Sequence, residues 1–365
     1  MQIRATMSKK DETRGKKLQS VFSISHDKDV DGLCAAAIVA RYAKQKNLDF
    51  DVLLTDYGSF DYAFSKVTGL RDTLIVVTDL GLDANYLEAV QNALSKAVSQ
   101  NCRVVWLDHH QWSKEAIKAI LQLDRKPVVK INHDFCAAEI AYKVLMPRDI
   151  ISGELAAIAH DTDFNERAIP AANALTDAVS VIRFGAIDRR HDITDALKPL
   201  LMSLSENGIA GVWDSKRNQL RDNLLAKQVH HYRKDKAKKM RKAFAGHCDQ
   251  EINDVLVRIV EIPTGVTTTD LGTYLADSEN LELEGKKYPL ADLLITLSQG
   301  GMLGFRRGSE KVLCNEAAKI FKGGGHPYAA GGEYGLYDDF EAVCADIYNI
   351  LSKDQSWIAE KQSQD

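Results

Sequence analysis

The chain has no C-x-x-C pair and no regular cysteine spacing. Its six cysteines, Cys34, Cys102, Cys136, Cys248, Cys314 and Cys344, are scattered over 365 residues. That pattern excludes a disulfide scaffold or a zinc finger and reads as reduced thiols of a cytoplasmic protein. No run of about eighteen apolar residues occurs, so no membrane span is expected. The first twenty residues, MQIRATMSKKDETRGKKLQS, are basic and polar. They lack the apolar stretch of a signal peptide and are expected to form a mobile tail. Charge of one sign is not in excess: 47 Lys and Arg stand against 51 Asp and Glu, a net charge of −4. This argues against a dedicated binder of long nucleic acids, which would carry a basic surface. There is no internal repeat, no Walker lysine, no Ser-His-Asp elbow and no dinucleotide fingerprint.

What remains is the composition of a globular enzyme, long enough for two domains that each bury a core. In the first half, short apolar runs rich in β-branched residues recur: VFSIS (21–25), DVLLTD (51–56), TLIVVTD (73–79), VVWLDH (104–109) and VVKIN (128–132). Segments with helical periodicity lie between most of them, such as LCAAAIVARYAKQ (33–45) and NYLEAVQNALSKAV (85–98). The alternation predicts an α/β fold with a parallel sheet covered by helices on both faces. Residues 151 to 225 read as helical. The segment 226–243 holds eight Lys or Arg and reads as a solvated helix or linker. A smaller α/β unit follows, with strands in 254–262, 291–298 and 301–308, a helix in 315–321 and an amphipathic terminal helix in 338–353.

The chemistry-bearing side chains fall where strands end. SHDKDVDGL (25–33) follows the first strand and supplies His26, Asp27, Asp29 and Asp31, with Gly32 opening a helix. Clustered carboxylates repel unless a cation offsets them. A mixed carboxylate and imidazole set suits Mn²⁺, Fe²⁺, Zn²⁺ or Mg²⁺. Calcium is disfavoured, because no Glu stands at the twelfth position of an EF-hand loop. Asp79 ends the third strand and Asp108-His109-His110 the fourth. Ligands of open parallel sheets bind outside the carboxyl ends of the strands. Adjacent side chains in extended structure alternate, so one histidine can face a metal and the other a substrate, with Asp108 orienting an imidazole. AHDTDF (159–164) adds His160, Asp161 and Asp163, and the residues alone leave open which aspartate joins the set. Two metals bridged by one carboxylate would activate water for displacement at phosphorus.

SHDKDVDG, VVTD, LDHH and AHDTD, followed by GFRRG and FKGGGHPYAAGG, resemble the DHH–DHHA1 phosphoesterase family over residues 20 to 335. The resemblance implies a DHH catalytic domain at 21–195, a helical linker at 196–245, a smaller α/β DHHA1 substrate-binding domain at 246–356 and a polar tail at 357–365. It implies that His26 and Asp29 hold one metal and Asp31 the other, that Asp79 bridges both, and that His109 and Asp161 complete the second site. His110 would contact the scissile phosphate beside Asp108. Gly323, Gly324, Gly325, His326 and Arg306 would hold a substrate phosphate, the glycines through backbone N–H groups. The expected cofactor is a pair of Mn²⁺ ions, with Mg²⁺ or another divalent metal as alternative. The expected activity is hydrolysis of short linear oligonucleotides or dinucleotides of the pGpG and pApA type to mononucleotides. Alternatives are a pAp or polyphosphate phosphatase, a RecJ-like single-strand 5′ exonuclease and a non-catalytic nucleotide sensor. A homodimer is left open.

Overall fold

The computed structural model describes residues 17–359. The tail expected at 1–20 thus lies outside the described residues as far as position 16, and so do positions 360–365. The chain divides into two compact units, Met1–His230 and His231–Asp365.

The first unit is built on five strands, β1 (Ser20–His26), β2 (Asp49–Thr55), β3 (Thr73–Thr78), β4 (Arg103–Asp108) and β5 (Val128–Ile131). All pair in parallel, in the order β2-β1-β3-β4-β5. The helices are α1 (Val30–Lys46), α2 (Phe60–Val67), α3 (Leu87–Ser99), α4 (Lys114–Leu121), α5 (Ala137–Leu145), α6 (Ile150–Asp163), α7 (Pro170–Arg189) and α8 (Ile193–Asn207). Every residue of β3 is buried, because the sheet has a core on each face. On one face Val21, Val76 and Leu107 pack against α1, α5, α6, α7 and α8. On the other, Ile24, Val77 and Trp106 pack against α2, α3 and α4. Strands buried on both sides explain the continuously apolar runs of the sequence. A short β6 (Trp213–Asp214) and β7 (Gln219–Leu220) then form a two-stranded ribbon.

The strand order reverses between β1 and β3. In open α/β sheets that switch point, at the carboxyl edge, is where ligands bind. The loops after β1 and β3 flank it, and they carry His26 to Asp31 and Asp79.

The boundary between the units falls inside a long helix, α9 (Asn223–Ala245). The second unit holds β8 (Cys248–Ile252), β9 (Val255–Glu261), α10 (Thr268–Leu275), a ribbon of β10 (Glu282–Leu283) and β11 (Lys286–Lys287), β12 (Leu293–Leu297), β13 (Met302–Arg307), α11 (Cys314–Ile320), β14 (Gly324–His326), β15 (Ala329–Glu333) and α12 (Phe340–Lys353). Its six-stranded sheet runs β14-β15-β13-β12-β9-β8, with β9 and β12 parallel and the other neighbours antiparallel. Helices α11 and α12 cover one face over Ile259, Ile295 and Phe305. The polar stretch after α12 is anchored by Trp357, which is fully buried in that core.

Candidate metal centre

Each side chain at the switch point is set by local structure. Asp29 caps α1: its Oδ1 accepts the Gly32 N–H at 3.0 Å, while Oδ2 lies 3.0 Å from His26 Nδ1. Gly32 is required there, since a Cβ would stand 2.3 Å from the His26 carbonyl oxygen. Asp31, buried, accepts the Ala137 and Ala138 N–H groups at 2.7 Å each, at the start of α5. A helix N-terminus favours a carboxylate through its free N–H groups and dipole. Asp79 is buried with a left-handed backbone, φ 57°. That conformation is costly for a non-glycine residue and is a mark of functional positions. It is held by the Asp79 N–H to the Leu107 carbonyl at 3.2 Å and by the Trp106 indole N–H, which donates to the Leu80 carbonyl at 2.8 Å.

These placements converge. His26, Asp29 and Asp79 form one group of ligand atoms within 4.8 Å of one another; Asp31, His109 and Asp163 form a second. Asp79 also lies 3.2 Å from His109 Nε2, so it stands between the two groups. His109 Nδ1 is 3.5 Å from Asp163, and its Nε2 3.9 Å from Asp31. His110 joins Asp79 and His109 in a third group. Its Nδ1 is 2.8 Å from Asp108 Oδ1, and Asp108 Oδ2 accepts the Trp112 indole N–H at 2.6 Å. Asp108 is therefore an orienting carboxylate for His110 and not part of the metal groups.

The electrostatics are those of a site built for cations. Burial works against a charged His26, but Asp29 and Asp79 outweigh it and hold its pKa well above the usual value. Burial likewise disfavours charge on His109, yet Asp79, Asp163 and Asp31 push it up to about 10. Burial and the neighbouring Asp79 and Asp163 raise Asp31; burial is also the main cause that lifts Asp163 to about 6. Protons thus gather where metal ions would neutralise the carboxylates. His26 Nε2 and Asp79 Oδ2 are buried with no hydrogen-bond partner. Unpartnered buried polar atoms are expensive, and a divalent ion would satisfy them, displacing any proton on the imidazole. The imidazole and carboxylate donors fit such an ion.

Residues 21–174 match the family model described as the DHH family, N-terminal domain. The chain carries a DHH-family domain. No curated protein matches it in sequence. Among solved structures, it is similar to RecJ in complex with Mn²⁺ from Thermus thermophilus, at 16% identity and TM-score 0.53, over 92% of this chain and 52% of that one. It spans about half the length of that protein. It is similar to exonuclease RecJ bound to manganese at 14% identity and TM-score 0.52, covering 92% and 90% of the two chains. An exopolyphosphatase-related protein from Bacteroides fragilis matches at 13% identity and TM-score 0.50, covering 93% of each. At these identities the likeness is one of fold, and it extends through both units.

One expected residue of the DHH domain is not in the cluster. Asp161 is buried on α6, where its Oδ1 accepts the Ala168 and Ile169 N–H groups at 2.8 and 3.0 Å. It ties α6 to the start of α7. Residues two apart on a helix point about 200° apart, so only one of Asp161 and Asp163 can face His109. That one is Asp163. His160 is also turned away, 2.9 Å from Glu139. Asp27 is paired outside the metal groups: Arg183 Nε on α7 donates to it at 2.9 Å, and Arg183 Nη2 to Asp56 at 3.3 Å. Arg183 thereby clamps the loops after β1 and β2 together. Nothing in the local sequence around Arg183 marks it; only the packing of α7 does. The role of Tyr57 was equally hidden. Its hydroxyl accepts the Gly81 N–H at 2.9 Å, and its ring lies edge-on to His110.

In the second unit, Arg306, Ala329 and His326 are opposite one another across β13, β15 and β14. Directly opposed residues of antiparallel strands share a face, so Arg306 and His326 project from the same side, two strands or roughly 10 Å apart. The next row on that face is Gly304, Gly331 and Gly324, a strip of sheet without side chains. The expected backbone nest is instead an edge strand, β14, whose outer groups have no strand partner. Gly323 and Gly325 are sterically obligatory: a Cβ would come within 1.9 Å of the Gly331 oxygen and 2.6 Å of the Ala330 Cα. Arg306 lines a cavity of about 150 Å³ with Arg307, Gly272 and Leu275, and its guanidinium donates to the Thr269 hydroxyl at 3.3 Å.

Proposed function

We propose that this DHH-superfamily protein is a divalent-metal-dependent phosphodiesterase that hydrolyses short linear oligonucleotides, dinucleotides of the pGpG and pApA type among them, to mononucleotides. The observation that carries this reading is Asp79, placed between His26 with Asp29 on one side and His109 with Asp31 and Asp163 on the other. Two groups of ligand atoms, one containing Asp79 and the other in contact with it through His109, support a pair of ions. Bound there, such a pair supplies charge at a phosphoryl oxygen and lowers the pKa of water.

The chain's own residues do the rest. His110, held by Asp108 through Nδ1, presents its Nε2 N–H to the substrate. Burial disfavours its charge, but Asp108 and Asp79 raise its pKa, which favours the protonated form that donates to a phosphoryl oxygen. Trp112 fixes the second oxygen of Asp108, which locks the pair in orientation. In the second unit, Arg306 and His326 would receive a further phosphate over the glycine strip, with Arg306 able to bond it in bidentate fashion.

The test is purified protein with Mn²⁺ against pGpG, pApA, longer RNA, single-stranded DNA, cyclic dinucleotides, pAp and polyphosphate. Cleavage of the short linear diesters, abolished by EDTA and restored by Mn²⁺, is expected. Activity in chelator with no metal by elemental analysis would refute the reading, and turnover confined to pAp or polyphosphate would replace it.

A further inference from the structure

Helix α9 separates charge by face. Its 23 residues carry eight Lys or Arg and one acid, Asp235, whereas the rest of the chain carries 39 Lys or Arg against 50 Asp or Glu. In the part belonging to the second unit, Lys236, Met240 and Phe244 recur every fourth residue and are buried, the latter two against Val260 and Leu271. Lys236 is paired there with Asp270 at 3.1 Å. His231, Lys234, Lys238, Arg241 and Lys242 follow the complementary helical spacing and are all exposed. Lys227 and His230 continue the same pattern one turn earlier. Asp235 lies at the border of this face and is engaged by Lys239 at 2.8 Å. Lys234, Lys238, Arg241 and Lys242 have no salt-bridge partner among the described residues.

A merely solvated helix would mix signs, because like charges four residues apart destabilise it. Lys234, Lys238 and Lys242 form such a like-charge series, and Asp235, beside His231 and Lys238, is the one acid near it. A single-sign stripe gathers a partner of opposite charge. We propose that the solvent face of α9, from His231 to Lys242, docks the phosphate backbone of single-stranded nucleic acid. The stripe is about 16 Å long at the helical rise, with a cation every turn. That repeat suits successive phosphates of one strand, and short basic tracks of this kind serve strand binders. A membrane surface is disfavoured, since the apolar face of this segment is already buried in the protein and its exposed face carries no large apolar residue. The overall charge of −4 concealed this, because an average over 365 residues cancels one basic helix face.

The proposal takes from the preceding section only that the polyanion is a nucleic acid. It is tested without catalysis, by fluorescence anisotropy of labelled dT and rU strands of about twelve nucleotides with the full chain in EDTA, over a range of salt concentrations. Binding should weaken with salt along a log–log slope of about −2 to −3. Lys234→Glu with Lys238→Glu should weaken it at least tenfold and reduce the slope by about one. Lys96→Glu with Lys118→Glu, exposed lysines of α3 and α4, should leave it unchanged, and circular dichroism should match for all chains. No binding, equal loss in both double variants, or equal affinity for polyglutamate would overturn the proposal. Dinucleotide hydrolysis in Mn²⁺ reports separately on the metal centre: its failure alongside intact, α9-dependent binding would sink the phosphodiesterase reading and leave this one standing.

Discussion

The Nε2 atom of His109 stands 3.2 Å from one carboxylate oxygen of Asp79, and the other oxygen of that carboxylate is buried without a hydrogen bond. Asp79 holds this pose on a left-handed backbone, so its position carries steric strain. Activity and stability should therefore part company here. Asp79→Ala should lower turnover at least about 10³-fold, as loss of a principal electrostatic group does. Asp79→Gly should be as inactive, yet its metal-free form should be more stable than that of Asp79→Ala by about 1 kcal/mol, because glycine tolerates φ 57°. Denaturant unfolding in EDTA and turnover in Mn²⁺ measure the two effects. Near-normal turnover in either variant would withdraw Asp79 from the centre of the site.

The two aspartates of α6 should separate in the same way. Asp163→Asn should reduce Mn²⁺ affinity and cut turnover about 10²-fold or more, with little change in stability. Asp161→Asn should leave Mn²⁺ affinity close to normal. It should cost about 1–3 kcal/mol, because its buried carboxylate accepts two backbone N–H groups. Calorimetric Mn²⁺ titration and thermal unfolding of both variants decide it. The reverse assignment would mean that the helix turns the other way about His109.

Arg183 should matter without touching substrate. Arg183→Ala leaves Asp27, only 4% exposed, without its cation. Loss of one partner from a buried pair costs about 3–5 kcal/mol. Replacing both partners, Arg183→Met with Asp27→Asn, should recover most of that stability. Weaker Mn²⁺ binding in the single variant, restored in the double, would show that the clamp positions the loop bearing His26 and Asp29. Unchanged Mn²⁺ binding in the single variant would make the pair structural only.

Much of this was legible before any coordinates. The continuous apolar runs revealed buried parallel strands, and Asp56, Asp79 and Asp108 marked their carboxyl ends, because helices on both faces leave only that edge for polar chemistry. Asp163 was not separable from Asp161, since two residues on a helix differ by phase, and phase is fixed by what the helix packs on. Arg183 was invisible for a related reason: it acts 156 residues away from Asp27. The glycines of FKGGGHP suggest a phosphate nest in the sequence, but packing also requires two of them, because Gly323 and Gly325 pass against the backbone of β15. The strands β8, β14 and β15 escaped notice because CDQEI, GGH and AAGGE have no alternation of apolar residues to announce them.

If the proposed function holds, the glycine strip and its two flanking donors would bear on how substrate length is chosen. Arg306 and His326 belong to the second unit, while His110 and the metal groups belong to the first. On the proposed reading, a substrate with one phosphate would have nothing to offer Arg306 and His326, whereas a dinucleotide would have a second anionic group for them. Binding energy gained from that remote group orients the reacting bond. Arg306→Ala and His326→Ala should therefore raise KM for pGpG or pApA about tenfold or more, the loss of a charge-assisted hydrogen bond. Both variants should hydrolyse bis-p-nitrophenyl phosphate at close to the normal rate, because that diester reaches only the metal groups. Arg306→Lys should recover part of the KM, as a point charge without the bidentate fork. Parallel kinetics on the two substrates give the answer. Equal losses on both would mean that Arg306 and His326 support the fold, and the second unit would then have no part in substrate choice.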